Sequence, residues 1–174
     1  MESEKKNSLL QLNQLMNHIW SPWRMEYIES DKEVGCIFCM AQEKEDGVEN
    51  LIAFRGERAY VILNRYPYTS GHLMVVPFEH IPNLEELDAQ TRAEMMELTS
   101  CCMTVLRRIY HPQAFNIGAN IGEAAGAGVK SHVHFHIVPR WAGDTNFMSI
   151  LGETRVLPEA LEITFDRVRK GFET

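Results

Sequence analysis

The chain has 174 residues, 45% hydrophobic and 24% charged, a composition that excludes a disordered or collagen-like polypeptide and is large enough to bury one core without staples. Its formal charge of −7 argues against a broad phosphate-backbone-binding face, so nucleic acid is not an expected partner, whereas a small anionic ligand held by a few backbone N–H groups is compatible with it. No segment approaches the roughly 20 apolar residues of a membrane span and the N-terminus lacks a secretory pattern, so the expectation is a cytoplasmic protein, not a membrane one, with Cys36, Cys39, Cys101 and Cys102 reduced.

Taken in order, the Leu- and Met-rich segment ending at Trp20 predicts an amphipathic helix, stopped by Ser21-Pro22. The mixed-charge stretch from Gln42 to Gly47 reads as a solvated loop. Strands are predicted over Leu51 to Phe54 and Ala59 to Leu63, joined as a hairpin by Arg55-Gly56-Glu57. Asn64 to Gly71 reads as loop, and His72 to Pro77 as the next strand. One long helix is predicted over Glu85 to Tyr110, with Met95, Leu98, Cys102, Leu106 and Ile109 as its core stripe. After His111-Pro112 come a strand from Phe115 to Ala119, a flexible loop with Gly122, Gly126 and Gly128, and a strand from Ser131 to Val138 that Pro139 ends. A last helix is predicted over Leu157 to Phe172, with Pro158 in its first turn. Strands in hairpin order around one long helix make an α+β fold with a largely antiparallel sheet.

The chemistry concentrates in Ser131-His132-Val133-His134-Phe135-His136-Ile137-Val138. Side chains alternate along a strand, so His132, His134 and His136 share one face. Adjacent imidazoles are poor core material, because each buried ring nitrogen needs a partner. Two functional readings remain: a divalent cation held by two or three imidazoles, or nucleophilic catalysis by the central histidine with its neighbours fixing its tautomer. The Gly-rich run from Asn120 to Lys130 enters the same strand. Its N–H groups and Lys130 can cradle phosphate oxygens, which favours the nucleophile, although alone such a loop reads as a mobile turn.

His-Val-His-Phe-His-Ile-Val resembles the signature of the histidine-triad (HIT) superfamily, and the likeness extends from about Trp20 to Phe147. Segments His18 to Met25, Leu63 to Tyr68, Gly71 to Pro77 and Pro139 to Asp144 are most similar to the branch of diadenosine tetraphosphate phosphorylases and dinucleoside polyphosphate hydrolases. The resemblance implies a single HIT-like domain over 1–174, with an extension at 1–20, a core at 20–147 and a C-terminal segment at 148–174. It also implies a homodimer. His134 would attack the α-phosphorus and carry a nucleotidyl group, with His132 and His136 in support. Asn64 would bind the ribose and Ile37 and Phe38 would wall the base, while Asn120, Gly128, Lys130 and Ser131 would face the phosphates. Apart from the resemblance, Ile37 and Phe38 read as core residues and Asn64 as a turn residue. Gly128 stands where family members often carry a phosphate-binding side chain, so water and inorganic phosphate both remain open as acceptors. Arg140, with Lys130, is expected to offset charge on the transferring group. A nucleoside phosphoramidase, a non-catalytic nucleotide-binding regulator and a three-histidine metalloprotein are the alternatives.

Cys36-Ile37-Phe38-Cys39 has zinc-knuckle spacing but lacks a second pair. Zinc-bearing members of the family imply His80 and His132 as the remaining ligands of a closed structural zinc site. A packed thiol pair and a redox pair are the other readings. Cys101 and Cys102 read as core or surface thiols of the long helix.

Overall fold

The computed structural model describes residues 35–144 and 159–173. The predicted N-terminal helix, the similar segment His18 to Met25 and Pro158 lie outside them. A short helix α1, Ile37–Gln42, comes first, followed by strands β1, Ile52–Arg55, β2, Ala59–Leu63, and β3, Leu73–Pro77. The long helix α2 spans Ala89–Tyr110, strands β4 and β5 span Ala114–Gly118 and Phe135–Arg140, and helix α3 spans Leu161–Phe172. The strands form one antiparallel sheet in the order β1-β2-β3-β5-β4. This is the expected α+β architecture, with a sheet, one long helix and a C-terminal helix.

Strands β2 and β3 are buried at every position, because both lie inside the sheet and α2 packs on one face. Helix α2 contributes Met95, Leu98, Cys102 and Leu106 to the core, as its three- and four-residue spacing predicts, while Met96 and Cys101 are exposed. It begins four residues past the expected Glu85 because Asp88 caps it, accepting hydrogen bonds from the backbone N–H groups of Gln90 and Thr91. The segment Leu84–Glu86 forms a separate 3-10 turn.

The hairpin turn is fixed from α2. One Glu94 carboxylate accepts from the backbone N–H groups of Glu57 at 2.8 Å and Arg58 at 3.0 Å. A side chain at Gly56 would place Cβ 2.1 Å from the same oxygen, so the glycine is the condition for this close approach.

Two boundaries differ from expectation for physical reasons. Strand β5 does not stop at Pro139 but runs through it, because Pro139 pairs with Phe115 on the β4 side while the β3 ladder extends only from Phe135 to Ile137. A missing N–H costs nothing where no acceptor faces it. At the other end, β5 starts at Phe135 rather than Ser131, since Val133 N–H bonds Ile81 C=O in a loop and not a strand partner. Helix α3 starts at Leu161, four residues after the expected Leu157.

Candidate functional site

The sheet and α1 bring seven aromatic rings into one row. Centroid separations run 5.1 Å from His80 to His132, 5.4 Å to Phe38, and 4.8 Å from Phe38 to His134. They continue at 4.9 Å to His136, 5.1 Å to His72 and 4.8 Å to Tyr68. Only His136 of the triad lies in regular strand; the expectation that all three share a face nevertheless holds through this row. His72, His132 and His134 are buried.

Hydrogen bonds assign the tautomers. His134 Nδ1 lies 2.9 Å from His132 C=O, an acceptor only, so Nδ1 carries the proton and Nε2 keeps its lone pair. His132 Nε2 lies 2.9 Å from Pro77 C=O, which leaves His132 Nδ1 as its basic atom. Tyr68 N–H donates to His72 Nδ1 at 3.1 Å, so His72 Nε2 bears the hydrogen and donates to His136 Nδ1 at 3.0 Å. His136 Nε2 therefore carries a proton.

Burial sets the charge of these rings. It pushes His72 down to about 3, helped by the charges of His136 and His134. It pushes His132 down to about 4 against the Pro77 bond, and lowers His134 against the bond to the His132 backbone. All three are neutral at pH 7. An unfolded chain binds a proton at residue 72 below about pH 6.5 that the folded chain rejects, so stability falls as pH drops from that value toward 3. The expected slope from His72 is about 1.4 kcal/mol per pH unit at most. Urea unfolding at pH 6.5 and 4.5 checks this: the His72→Gln variant should lose less stability than the parent over that interval, and equal losses would refute the assignment.

At one end of the row, Cys36, Cys39, His80 and His132 place one ligand atom each within 4.8 Å of one another. Cys36 Sγ is 3.3 Å from His132 Nδ1, and Cys39 Sγ is 3.2 Å from His80 Nδ1 and 3.7 Å from His132 Nδ1. A tetrahedron with zinc–sulfur and zinc–nitrogen bonds has edges of about 3.3 to 3.8 Å. The donor set therefore fits zinc, and the Pro77 bond to Nε2 is the outer support that points Nδ1 inward. Burial first, then the hydrogen bond and charge of Cys36, push the Cys39 thiol up to about 11, a penalty that a cation between the sulfurs reverses. His134 and His136 do not belong to the metal-capable group among the described residues, which sets the three-histidine metal reading aside.

The nucleotide-binding expectations separate. Ile37 is 42% exposed at the start of α1, whereas Phe38 is 2% exposed and backs the rings of His132 and His134. Asn64 accepts from Tyr66 N–H through Oδ1 and directs Nδ2 at His72 Nδ1, 3.4 Å away, so it orients the loop and a site histidine. Asn120 is half-buried, and Gly128, Lys130 and Ser131 are exposed on the loop entering the triad. Lys130 pairs with Glu123 at 3.0 Å. The expectation for Arg140 is corrected: it binds Asp144 at 2.5 Å and Asn116 at 2.7 Å. Six residues along an extended chain also put it about 20 Å from His134, too far for the transferring group.

His72 is the site residue that the motif reading did not single out. In sequence it is one polar residue before an apolar strand; the signal was its place after Gly71, whose φ of +79° turns the chain tightly onto α2.

The HIT domain family model matches residues 46–143. An AP-4-A phosphorylase of Mycobacterium tuberculosis is 37% identical over 158 residues, covering 86% of this chain and 80% of that protein. An asymmetrical bis(5'-nucleosyl)-tetraphosphatase of Schizosaccharomyces pombe is 29% identical over 97 residues, covering 56% and 53%. The crystal structure of a Zn-bound histidine triad family protein from Mycobacterium smegmatis superposes with a TM-score of 0.64 at 27% identity, covering 80% of this chain and 94% of the other. With the triad, its tautomers and these matches together, the chain belongs to the HIT domain family.

Proposed function

We propose that the protein is a nucleotide hydrolase or phosphorylase that cleaves dinucleoside polyphosphates, such as diadenosine tetraphosphate, at the α-phosphate. The observation that carries this reading is the His134 tautomer: Nδ1–H is committed to the His132 carbonyl, so Nε2 is a neutral nucleophile at pH 7. The names of the mycobacterial and yeast relatives support the substrate class.

His134 Nε2 attacks the α-phosphorus, a P–N bond forms, and the bond to the bridging oxygen of the leaving polyphosphate breaks. His136 Nε2–H supplies a proton to that oxygen, and His72 keeps His136 in the donating tautomer. Water or inorganic phosphate then displaces His134 from phosphorus. Ile37 walls the base, Phe38 backs the nucleophile, Asn64 meets the ribose, and Asn120, Gly128, Lys130 and Ser131 hold the phosphates. Lys130 exchanges Glu123 for a phosphate oxygen in doing so.

Cys36, Cys39, His80 and His132 hold a structural zinc in this reading. All four positions are filled by protein, so the metal ties α1 to the sheet and offers no site to substrate. The active form is a homodimer, as the family resemblance implies, and works in the cytoplasm, as the N-terminal sequence pattern leads one to expect.

Incubation with diadenosine tetraphosphate, with and without inorganic phosphate, tests the reading. Cleavage at the α-phosphate yields ATP with AMP when water is the acceptor, and ATP with ADP when phosphate is. Failure to cleave under both conditions, with turnover of an adenosine phosphoramidate instead, would replace this reading by the phosphoramidase one.

A further inference from the structure

The metal-capable cluster has an outer and an inner side. His80 is exposed and both cysteines are half-buried, whereas His132 is 0% exposed. His132 alone belongs to both centres: its Nδ1 faces the sulfurs, and its carbonyl accepts the proton that fixes the nucleophile's tautomer. Phe38, between the two cysteines in sequence, packs on the rings of both His132 and His134. A chemical event at the outer sulfurs thus reaches the nucleophile through one residue and one ring.

We propose that Cys36 and Cys39 form a peroxide-sensitive modification site whose oxidation to a disulfide releases the metal and switches the nucleotidyl-transfer site off. The proposal rests on the zinc reading above. In the step, two metal-bound thiolates lose one electron each and an S–S bond forms between them. The O–O bond of hydrogen peroxide breaks to two hydroxides, which take up two protons and leave as water, and Zn²⁺ dissociates. Cys36 caps α1 and Cys39 lies in its first turn, with their sulfurs within 4.8 Å of each other, so side-chain rotation suffices to reach the S–S bond length of about 2.05 Å. Metal-bound sulfur is already deprotonated, the form that attacks peroxide.

Loss of the metal removes the bond that holds His132 Nδ1 toward α1. The ring then keeps only the Pro77 bond and its ring contacts, Phe38 is drawn with the shortened Cys36–Cys39 pair, and the carbonyl under His134 loses its fixed position. Of the other two thiols, Cys102 is buried, which pushes it far above the usual thiol range, and Cys101, exposed on α2, is removed in the comparison variant.

The test uses the zinc-loaded enzyme, its metal content measured first, treated with hydrogen peroxide beside a Cys101→Ser variant treated alike. Zinc release to a chromogenic chelator, peptide mass mapping of the Cys36–Cys39 bond and turnover are followed together. In both proteins zinc and disulfide should appear in step while turnover falls by about tenfold or more, the scale of losing outer-shell support. A reductant with added zinc should restore it, and a reductant with a chelator should not. Disulfide formation and zinc release with turnover intact would overturn the proposal, as would inactivation with both cysteines reduced and zinc bound. A protein without zinc before treatment overturns the metal reading and the proposal with it.

Discussion

Replacing His134 by asparagine lowers turnover of diadenosine tetraphosphate by about 10⁴-fold or more, the scale on which loss of a catalytic nucleophile is felt. The asparagine amide can still donate toward the His132 carbonyl, and its smaller side chain leaves Phe38 and His136 in place around a shallow gap. AMP should therefore bind nearly as well as to the parent. Product chromatography and calorimetry of AMP binding read the two quantities separately. Turnover within tenfold of the parent would remove the covalent route, and lost AMP binding would show that the variant tests the fold and not the chemistry.

Cys39→Ser should leave the purified protein with under about a tenth of an equivalent of zinc, because a serine hydroxyl is a poor ligand for a metal that binds here through thiolate. Unfolding should follow about 3 kcal/mol sooner, a fall in Tm of about 6 to 12 °C for a chain of this size. The loss is smaller than for a zinc finger, which has no fold without its metal. Here α1 is also held by Phe38 in the core and by the Tyr60 hydroxyl donating to Phe38 C=O at 3.0 Å. Metal analysis and thermal melts with and without a chelator decide the matter: the chelator should lower the parent's Tm and leave the variant's unchanged. A parent indifferent to chelation would show that the thiols simply pack.

Much of the site is legible in the sequence. The His-x-His-x-His spacing announces a row of imidazoles, and Cys36-x-x-Cys39 with His80 and His132 meets in space as the family likeness implies. What stayed hidden depends on partners far away in the chain. His72 gains its role from His136, 64 residues on, and from a backbone N–H at Tyr68 that no side-chain pattern reveals. Helix α1 has six residues, too few for a period to show, so the knuckle gave no hint that Ile37 and Phe38 would part between solvent and core. Pro139 misled because a proline ends a strand only where its missing donor would have been used, and only the sheet order shows that it would not. Arg140 misled because proximity in sequence to the triad is distance along an extended strand.

The bond from Tyr68 to His72 carries one last implication. An amide hydrogen is not released at neutral pH, so the path from His136 through His72 is a blind alley and not a wire to bulk solvent. In the proposed mechanism, a proton that His136 spends on the leaving group therefore has to come back with the incoming acceptor itself. The second half-reaction thus resets the first.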